Sequence, residues 1–292
     1  MKSKIIVLGA NGQLGQQATH SLKIEDKEIV FLSSKDLDIT SLKMMREKFQ
    51  ELQPSYVLNF AAFTDVNLAE SNPESAFLVN ELGAKNVSIC SNEVGAILIH
   101  ISTDYVFDGN KNEPYSEVDV VNPINNYGLS KLNGENEIQT YCEAYIIIRT
   151  SWIFGSYGKN FFKTILNLSR ARSHLEIISD QIGSPTSSLS IIHACIEIIK
   201  YLDNSDSSLW GIYHFSNVPA VSWYEFAENI IFNAANIGIL ARSPSLTPIQ
   251  SIVQANVALR PKYSVLNTKK IEDTFKIRIV DWRDSLKAIT SF

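Results

Sequence analysis

A chain of 292 residues with a net charge of −5 carries no basic footprint, which argues against a nucleic-acid duplex as partner and leaves a small molecule as the default ligand. Apolar residues at 45% and charged residues at 20% make an ordinary globular composition, so dominant disorder is excluded. That length suits one large α/β domain or two smaller ones.

The first apolar run, KIIVLGA (4–10), is continuously hydrophobic, as a strand buried on both faces requires. It leads straight into GANGQLG (9–15) and a helix-compatible stretch. In that strand, turn and helix context the loop is a dinucleotide fingerprint. Gly9 permits the tight turn, Gly12 lets the backbone approach a pyrophosphate, and Gly15 allows helix and strand to pack closely. Asn11, Gln13 and Leu14 complete the loop. A second strand is expected at EIVFLSS (28–34). At its end an acidic residue would hold the ribose of NAD, yet Ser33, Ser34 and Lys35 stand there and Asp36 comes late. NADPH is therefore favoured and NADH stays open, as does a bland reading of Lys35 as a solvated loop cation.

SLKMMREKFQEL (41–52) has helical spacing, SYVLNFAA (55–62) is a third strand, and NPESAFLVNELGAKNVSICSNEV (72–94) is a helix. In that helix Phe77, Val79, Leu82, Val87 and Ile89 are expected to form the apolar stripe. AILIHIST (96–103) and AYIIIRTSW (144–152) are further strands. Between them, YGLSK (127–131) puts Tyr127 and Lys131 on one helical face, a spacing that many surface pairs share. Beyond residue 150, helices are expected at 159–173 and 188–202, strands at 174–180 and 211–217, and a loop at SPSLTPIQ (243–250). The whole reads as α/β: a Rossmann-type doubly wound parallel sheet with a smaller C-terminal α+β substrate lobe. Residues 1–152 form the dinucleotide-binding part and residues 153–292 mainly the substrate lobe, with a soft boundary that the chain is free to cross.

Cys90, Cys142 and Cys195 lack a C-x-x-C pair or regular spacing and read as buried thiols of a reducing compartment. The apolar run near Met1 is too short for a signal peptide and no stretch reaches the length of a membrane span, so a cytoplasmic protein is expected. His20, His100, His174, His193 and His214 show no metal-ligand spacing; His100 in a strand and His193 on an apolar helix face read as structural.

STDYVFDG (102–109), NNYGLSKLNGE (125–135), RTSWIFGSYGKNFFKTIL (149–166), SDQIGSPTS (179–187), SWYEFAENI (222–230) and ALRPKYSVLNT (258–268) occur in one order along nearly the whole chain. Together they resemble the dTDP-4-dehydrorhamnose reductase family of extended short-chain dehydrogenase/reductases. The resemblance implies that Tyr127 protonates a substrate carbonyl while reduced nicotinamide delivers hydride, with Lys131 holding the nicotinamide ribose and Thr103 bonding the carbonyl or the tyrosine oxygen. It also implies cofactor contacts at Gly12, Gln13 and Leu14, at Asp38 and Ile39, and at Ala61, Ala62, Phe63 and Thr64. Thr103, Asp104, Trp152 and Asn160 are the implied substrate contacts. From the residues alone, a core tryptophan at a strand end is the lesser reading of Trp152, and Trp223 and Phe226 read as core packing.

The match departs in two places. Some family members dimerise around a magnesium ion held by carboxylates, one on the helix after the glycine loop, where this chain has Gln17. A neutral amide is a poor ligand for a hard dication, so a homodimer stays open while a metal-bridged one is disfavoured. Asn67 and Leu68 replace a charged pair common in the family, which makes the identity of the ketosugar less secure than the reduction. The resemblance implies NADPH-dependent reduction of dTDP-4-dehydro-L-rhamnose to dTDP-L-rhamnose. The alternatives are another 4-keto-6-deoxy nucleotide sugar, or a dinucleotide-binding regulatory subunit like that of methionine adenosyltransferase.

Overall fold

The computed structural model of the protein describes residues 3–205, 209–252 and 257–290. The early apolar runs become strands alternating with helices: β1 (Ser3–Leu8), α1 (Gln13–Ser21), β2 (Lys27–Leu32), α2 (Leu42–Leu52), β3 (Tyr56–Asn59), α3 (Val66–Ser71), α4 (Pro73–Phe77), α5 (Ala84–Glu93), β4 (Ile97–Thr103), α6 (Asn126–Tyr141) and β5 (Tyr145–Thr150). The later part adds β6 (Ile153–Phe154), α7 (Phe161–Ala171), β7 (His174–Ile178), β8 (Ile182–Gly183), β9 (Thr186–Ser187), α8 (Ser188–Asp203), β10 (Gly211–His214), β11 (Val221–Ser222), α9 (Trp223–Asn236), β12 (Ser245–Ile249), α10 (Lys269–Phe275) and α11 (Trp282–Thr290).

Six strands form one parallel sheet in the order β2-β1-β3-β4-β5-β10. Alternate side chains of each strand feed opposite layers, which is why the runs are apolar throughout rather than alternating. Ile5 and Val7 of β1 pack with Ala18 of α1, Ile191 and Ile198 of α8 and Phe275 of α10. Ile6 and Leu8 face Met45 and Phe49 of α2, Val87 of α5 and Ile138 of α6. Strand order reverses at β1, so a crevice opens beyond the carboxyl ends of β1 and β3, the place where such sheets bind ligands.

The chain crosses back after residue 152. Segment 211–217 contributes β10 to the edge of the main sheet, beside β5, and α8 covers one of its faces. What remains gathers on a separate core of Phe154, Phe162, Leu175, Phe226, Ile230 and Trp282. Segment 243–250, expected to be a loop, instead contains β12, paired in parallel with β7. Pro248 hid it: in a two-stranded sheet every strand is an edge, where a missing backbone N–H is tolerated.

The helix over 72–94 also differs from expectation. Between α4 and α5 lies a π-turn, Leu78–Gly83. The wider turn shifts the helical phase, so Ala76, Asn80, Gly83, Val87 and Cys90 are buried, while Leu82 of the expected stripe is 40% exposed. His193 likewise faces solvent on α8 rather than lying on its apolar face. Cys90, Cys142 and Cys195 are buried and unpaired. Among the described residues no helix is long and apolar enough to cross a membrane.

A buried ion pair ties α6 to the sheet. Arg149 of β5 donates to both carboxylate oxygens of Glu135, from Nε at 3.0 Å and from Nη2 at 2.7 Å, and the Ser102 hydroxyl donates to the same carboxylate. The Phe107 ring lies 5.2 Å from the guanidinium. Glu135 and Arg149 side chains are 0% and 3% exposed, so removing either strands a desolvated charge. Arg149→Met is expected to cost ~3–5 kcal/mol of unfolding free energy by urea denaturation, and Glu135→Leu combined with it should cost less than Arg149→Met alone.

Candidate active site

Tyr127 stands in the first turn of α6 because that turn is fixed from outside. Asn125 caps it by accepting from the Gly128 amide at 2.7 Å, and Glu70 of α3 accepts from the Asn126 amide at 2.7 Å. Thr103 ends β4 alongside. Its hydroxyl donates to Asp104 Oδ1 at 3.1 Å and accepts from the Tyr105 amide at 3.2 Å, near enough to the Tyr127 phenol to influence it. The structure thus brings Thr103, Asp104 and Tyr127 into one cluster from separate stretches of sequence.

Burial sets the electrostatics. Desolvation pushes the Tyr127 phenol above its usual range, opposed by the Thr103 hydroxyl and reinforced by the negative charges that Asp104 and Tyr105 can carry. The Asp104 carboxyl is raised to about 7, first by desolvation, against hydrogen bonds from Ser264 and Thr103. Its Oδ2 is buried without a hydrogen-bond partner. Lys131, one turn beyond Tyr127, is 2% exposed; desolvation lowers it to about 8 while Glu135 pulls the other way. Its Nζ donates to the Ile101 carbonyl at 2.7 Å, beside His100.

The glycine loop closes against the end of β3. Gly9 has φ +79°, and a Cβ there would lie 2.6 Å from the Ala61 nitrogen, so backbone passes directly over backbone. Gly12 caps α1 without any side-chain hydrogen bond, leaving the Gly12, Gln13 and Leu14 region as a helix N-terminus suited to an anion, with Asn11 exposed beside it. Across the crevice, residues 61–64 are pinned by buried asparagines. Asn59 accepts from the Ala61 amide at 3.1 Å, and Asn80 both accepts from the Phe63 amide at 2.9 Å and donates to its carbonyl at 3.0 Å. Ala62 is half-buried and Thr64 exposed. At the third corner, exposed Asp38 accepts from Thr40, while the carbonyl of buried Ile39 accepts from Asn86 at 2.9 Å. Asp36 turns back on its own loop, accepting from the Ser33 amide at 2.9 Å, and Ser34 and Lys35 are left exposed.

Trp152 follows β5 at φ +46°, a conformation a bulky residue holds only under constraint. Its ring stacks on Trp223 with centroids 3.4 Å apart and lies against Gly183. Trp223, expected only to pack in a core, is half-buried against that plate, whereas Phe226 is fully buried. Asn160 serves the fold: it caps α7 and donates to the Gly155 and Tyr157 carbonyls at 2.9 and 3.1 Å. Gln17 is held between helices, donating to Ser21 at 2.7 Å and accepting from Ser188 at 3.1 Å. Among the described residues no three His, Cys, Asp or Glu side chains gather as a metal site.

Asn59, Asn80 and His100 were not singled out as site residues from sequence. The available signal was polar asparagine in otherwise apolar runs, SYVLNFAA and the 72–94 helix, where a buried amide must find partners.

The model of the RmlD substrate binding domain family matches residues 3–291. The dTDP-4-dehydrorhamnose reductase of Aggregatibacter actinomycetemcomitans is 37% identical over 291 residues, covering 99% of each chain. The spore coat polysaccharide biosynthesis protein SpsK of Bacillus subtilis is 38% identical, covering 98% of this chain and 96% of its own. The crystal structure of dTDP-4-dehydrorhamnose reductase from Bacillus anthracis in complex with NADP superposes with a TM-score of 0.90 at 37% identity, covering 99% of each chain.

The raised Asp104 carboxyl has a consequence for stability. A group whose pKa rises on folding binds more protons in the native state, so stability contributed at acid pH is lost as pH climbs from about 4 through about 7. Asp104→Asn is expected to raise the thermal midpoint at pH 8, with a gain in unfolding free energy on the order of 2–4 kcal/mol, and to change both little at pH 4. Melting curves of both proteins at the two pH values check this.

Proposed function

The chain belongs to the RmlD substrate binding domain family, and on that premise we propose that it reduces the 4-keto group of dTDP-4-dehydro-L-rhamnose to give dTDP-L-rhamnose, using NADPH. The observation that carries this reading is the Thr103–Tyr127 contact, with Lys131 one turn on, beside a dinucleotide-type glycine loop. When bound, the reduced nicotinamide supplies the hydride; everything else falls to the protein.

Tyr127 holds the proton. Burial keeps its phenol protonated at neutral pH, so it is the group that gives a proton to the carbonyl oxygen as the carbon is reduced. Thr103 orients that phenol and offers its hydroxyl to the same oxygen. Lys131 holds the nicotinamide ribose, and the glycine-loop amides take the pyrophosphate. Asp104, with Oδ2 unpartnered, accepts from a sugar hydroxyl, and Trp152 packs its face against the deoxyhexose. Ser34 and Lys35 meet a 2′-phosphate, since the nearby Asp36 is engaged by its own loop. The product would supply a polysaccharide, in keeping with the Bacillus subtilis relative's being a spore coat polysaccharide biosynthesis protein.

The test follows nicotinamide absorbance when purified protein meets NADPH and dTDP-4-dehydro-L-rhamnose. Tyr127→Phe is expected to lower turnover roughly 100- to 10,000-fold while still folding and binding NADPH. Absence of turnover by the wild-type protein would overturn the reading. In the same assay Lys35→Ala should lower kcat/KM for NADPH about tenfold, the effect of one charge-assisted hydrogen bond, and leave NADH unaffected.

A further inference from the structure

Asparagine followed by glycine occurs twice in the chain, at Asn11–Gly12 and at Asn133–Gly134. Such a pair is open to spontaneous ring closure. The glycine nitrogen attacks Cγ of the asparagine, and a glycine, lacking Cβ, leaves that nitrogen uncovered. The letters do not rank the two pairs, because the attack also needs a free side chain and a backbone able to bend toward it.

The fold separates them. Asn133 lies on α6 with its amide donating to Glu81 Oε2 at 2.8 Å, and Gly134 is buried against the Asn80 carbonyl. That side chain is held, and the helix keeps the Gly134 nitrogen in its ladder. Asn11 and Gly12 are both exposed, in the turn between β1 and α1. The Asn11 carbonyl accepts from Gln16 Nε2 at 2.7 Å, but its side-chain amide has no hydrogen-bond partner among the described residues. Gly12 is extended, at φ −74° and ψ 174°, and a Cβ on it would meet only the Gly9 carbonyl oxygen, at 3.2 Å. One backbone hydrogen bond, from Gly12 N to the Gly9 carbonyl at 2.9 Å, must open before attack. At an exposed turn such a bond opens locally, without unfolding the chain.

We propose that Asn11 is a deamidation site, at which the dinucleotide loop of the cofactor-free protein converts to aspartate and isoaspartate. The bond from Gly12 N to Asn11 Cγ forms as the Cγ–Nδ2 bond breaks. The Gly12 amide proton passes to the leaving nitrogen, which departs as ammonia. Water then opens the cyclic imide: addition at Cγ gives aspartate, and addition at the Asn11 backbone carbonyl carbon gives isoaspartate, whose main chain runs through Cγ. Nothing is oxidised or reduced. The setting favours ring closure, because the N-terminus of α1, capped by no side chain, stabilises the negative charge that grows on Gly12 N and then on the Asn11 side-chain oxygen.

One consequence rests on the proposed NADPH site. The same helix end would take the pyrophosphate, so a carboxylate at residue 11 meets the cofactor with like charge, and bound cofactor covers the loop before it reacts. The modification therefore falls on empty protein.

The experiment incubates cofactor-free wild-type protein in mildly alkaline buffer, beside the same protein unfolded in urea, and stops each sample by peptic digestion in acid. Mass spectrometry follows replacement of NH2 by OH at the two asparagines, and electron-transfer fragmentation identifies the isoaspartate. With each site scaled to its own rate in urea, Asn11 of the folded protein is expected to react at least about tenfold faster than Asn133. Equal protection of the two sites, or faster reaction at Asn133, overturns the proposal. Added NADPH is expected to slow Asn11, and Asn11→Asp to bind NADPH about tenfold more weakly than wild type. No turnover is measured, so Asn11 that deamidates with NADPH neither slowing it nor binding would refute the cofactor reading and leave this one intact.

Discussion

Helix α6 can lie against the end of β4 because two of its residues carry no side chain. A Cβ on Gly128 would overlap the Tyr105 carbonyl oxygen, and one on Gly134 would overlap the carbonyl oxygen of Asn80. With the helix this close, its inward face reaches groups that an ordinary interhelical gap would leave out of range. Tyr127 meets Thr103, Lys131 reaches the Ile101 carbonyl, Ser130 accepts from Asn80, and Glu135 meets Arg149. Four polar contacts over three turns therefore follow from two positions without a side chain. Each also satisfies a group that the close packing has cut off from water, so packing and polar satisfaction fix the same helix position.

How much of this could be read from the sequence depends on the range of the interaction. The strands of the main sheet were legible because burial on both faces leaves an unbroken apolar run such as IIVL or YIII. Strand β12 was not, because an edge strand needs neither that run nor every backbone donor, and Pro248 and Pro244 resemble loop punctuation. In the 72–94 helix Val87 of the expected stripe is buried and Leu82 is not, for a different reason. A π-turn changes the phase in mid-helix, and periodicity counts assume a constant phase.

The site divides the same way. Gly9, Gly12 and Gly15 form a local motif whose letters carry its geometry, and Tyr127 and Lys131 share a face by spacing alone. His100 becomes meaningful only through Asn59, 41 residues away, and Lys131, 31 residues away. Asn80 does so through residues 17 and 50 positions distant. A single buried polar letter announces that partners are required without saying which.

Burial pushes each titratable group around Tyr127 toward its uncharged form. The phenol is raised, Asp104 is raised to about 7, Lys131 is lowered to about 8, and His100 is held neutral. Full charge is retained one layer deeper, in the Glu135–Arg149 pair, where it is matched within the protein. Apart from this cluster, the glycine-loop amides meet an anion through the helix N-terminus. Desolvation suits a proton donor in particular, because a buried phenol keeps its proton until a carbonyl oxygen gains negative charge within reach. The desolvation that makes this arrangement costly to fold is thus the same property that keeps the proton available.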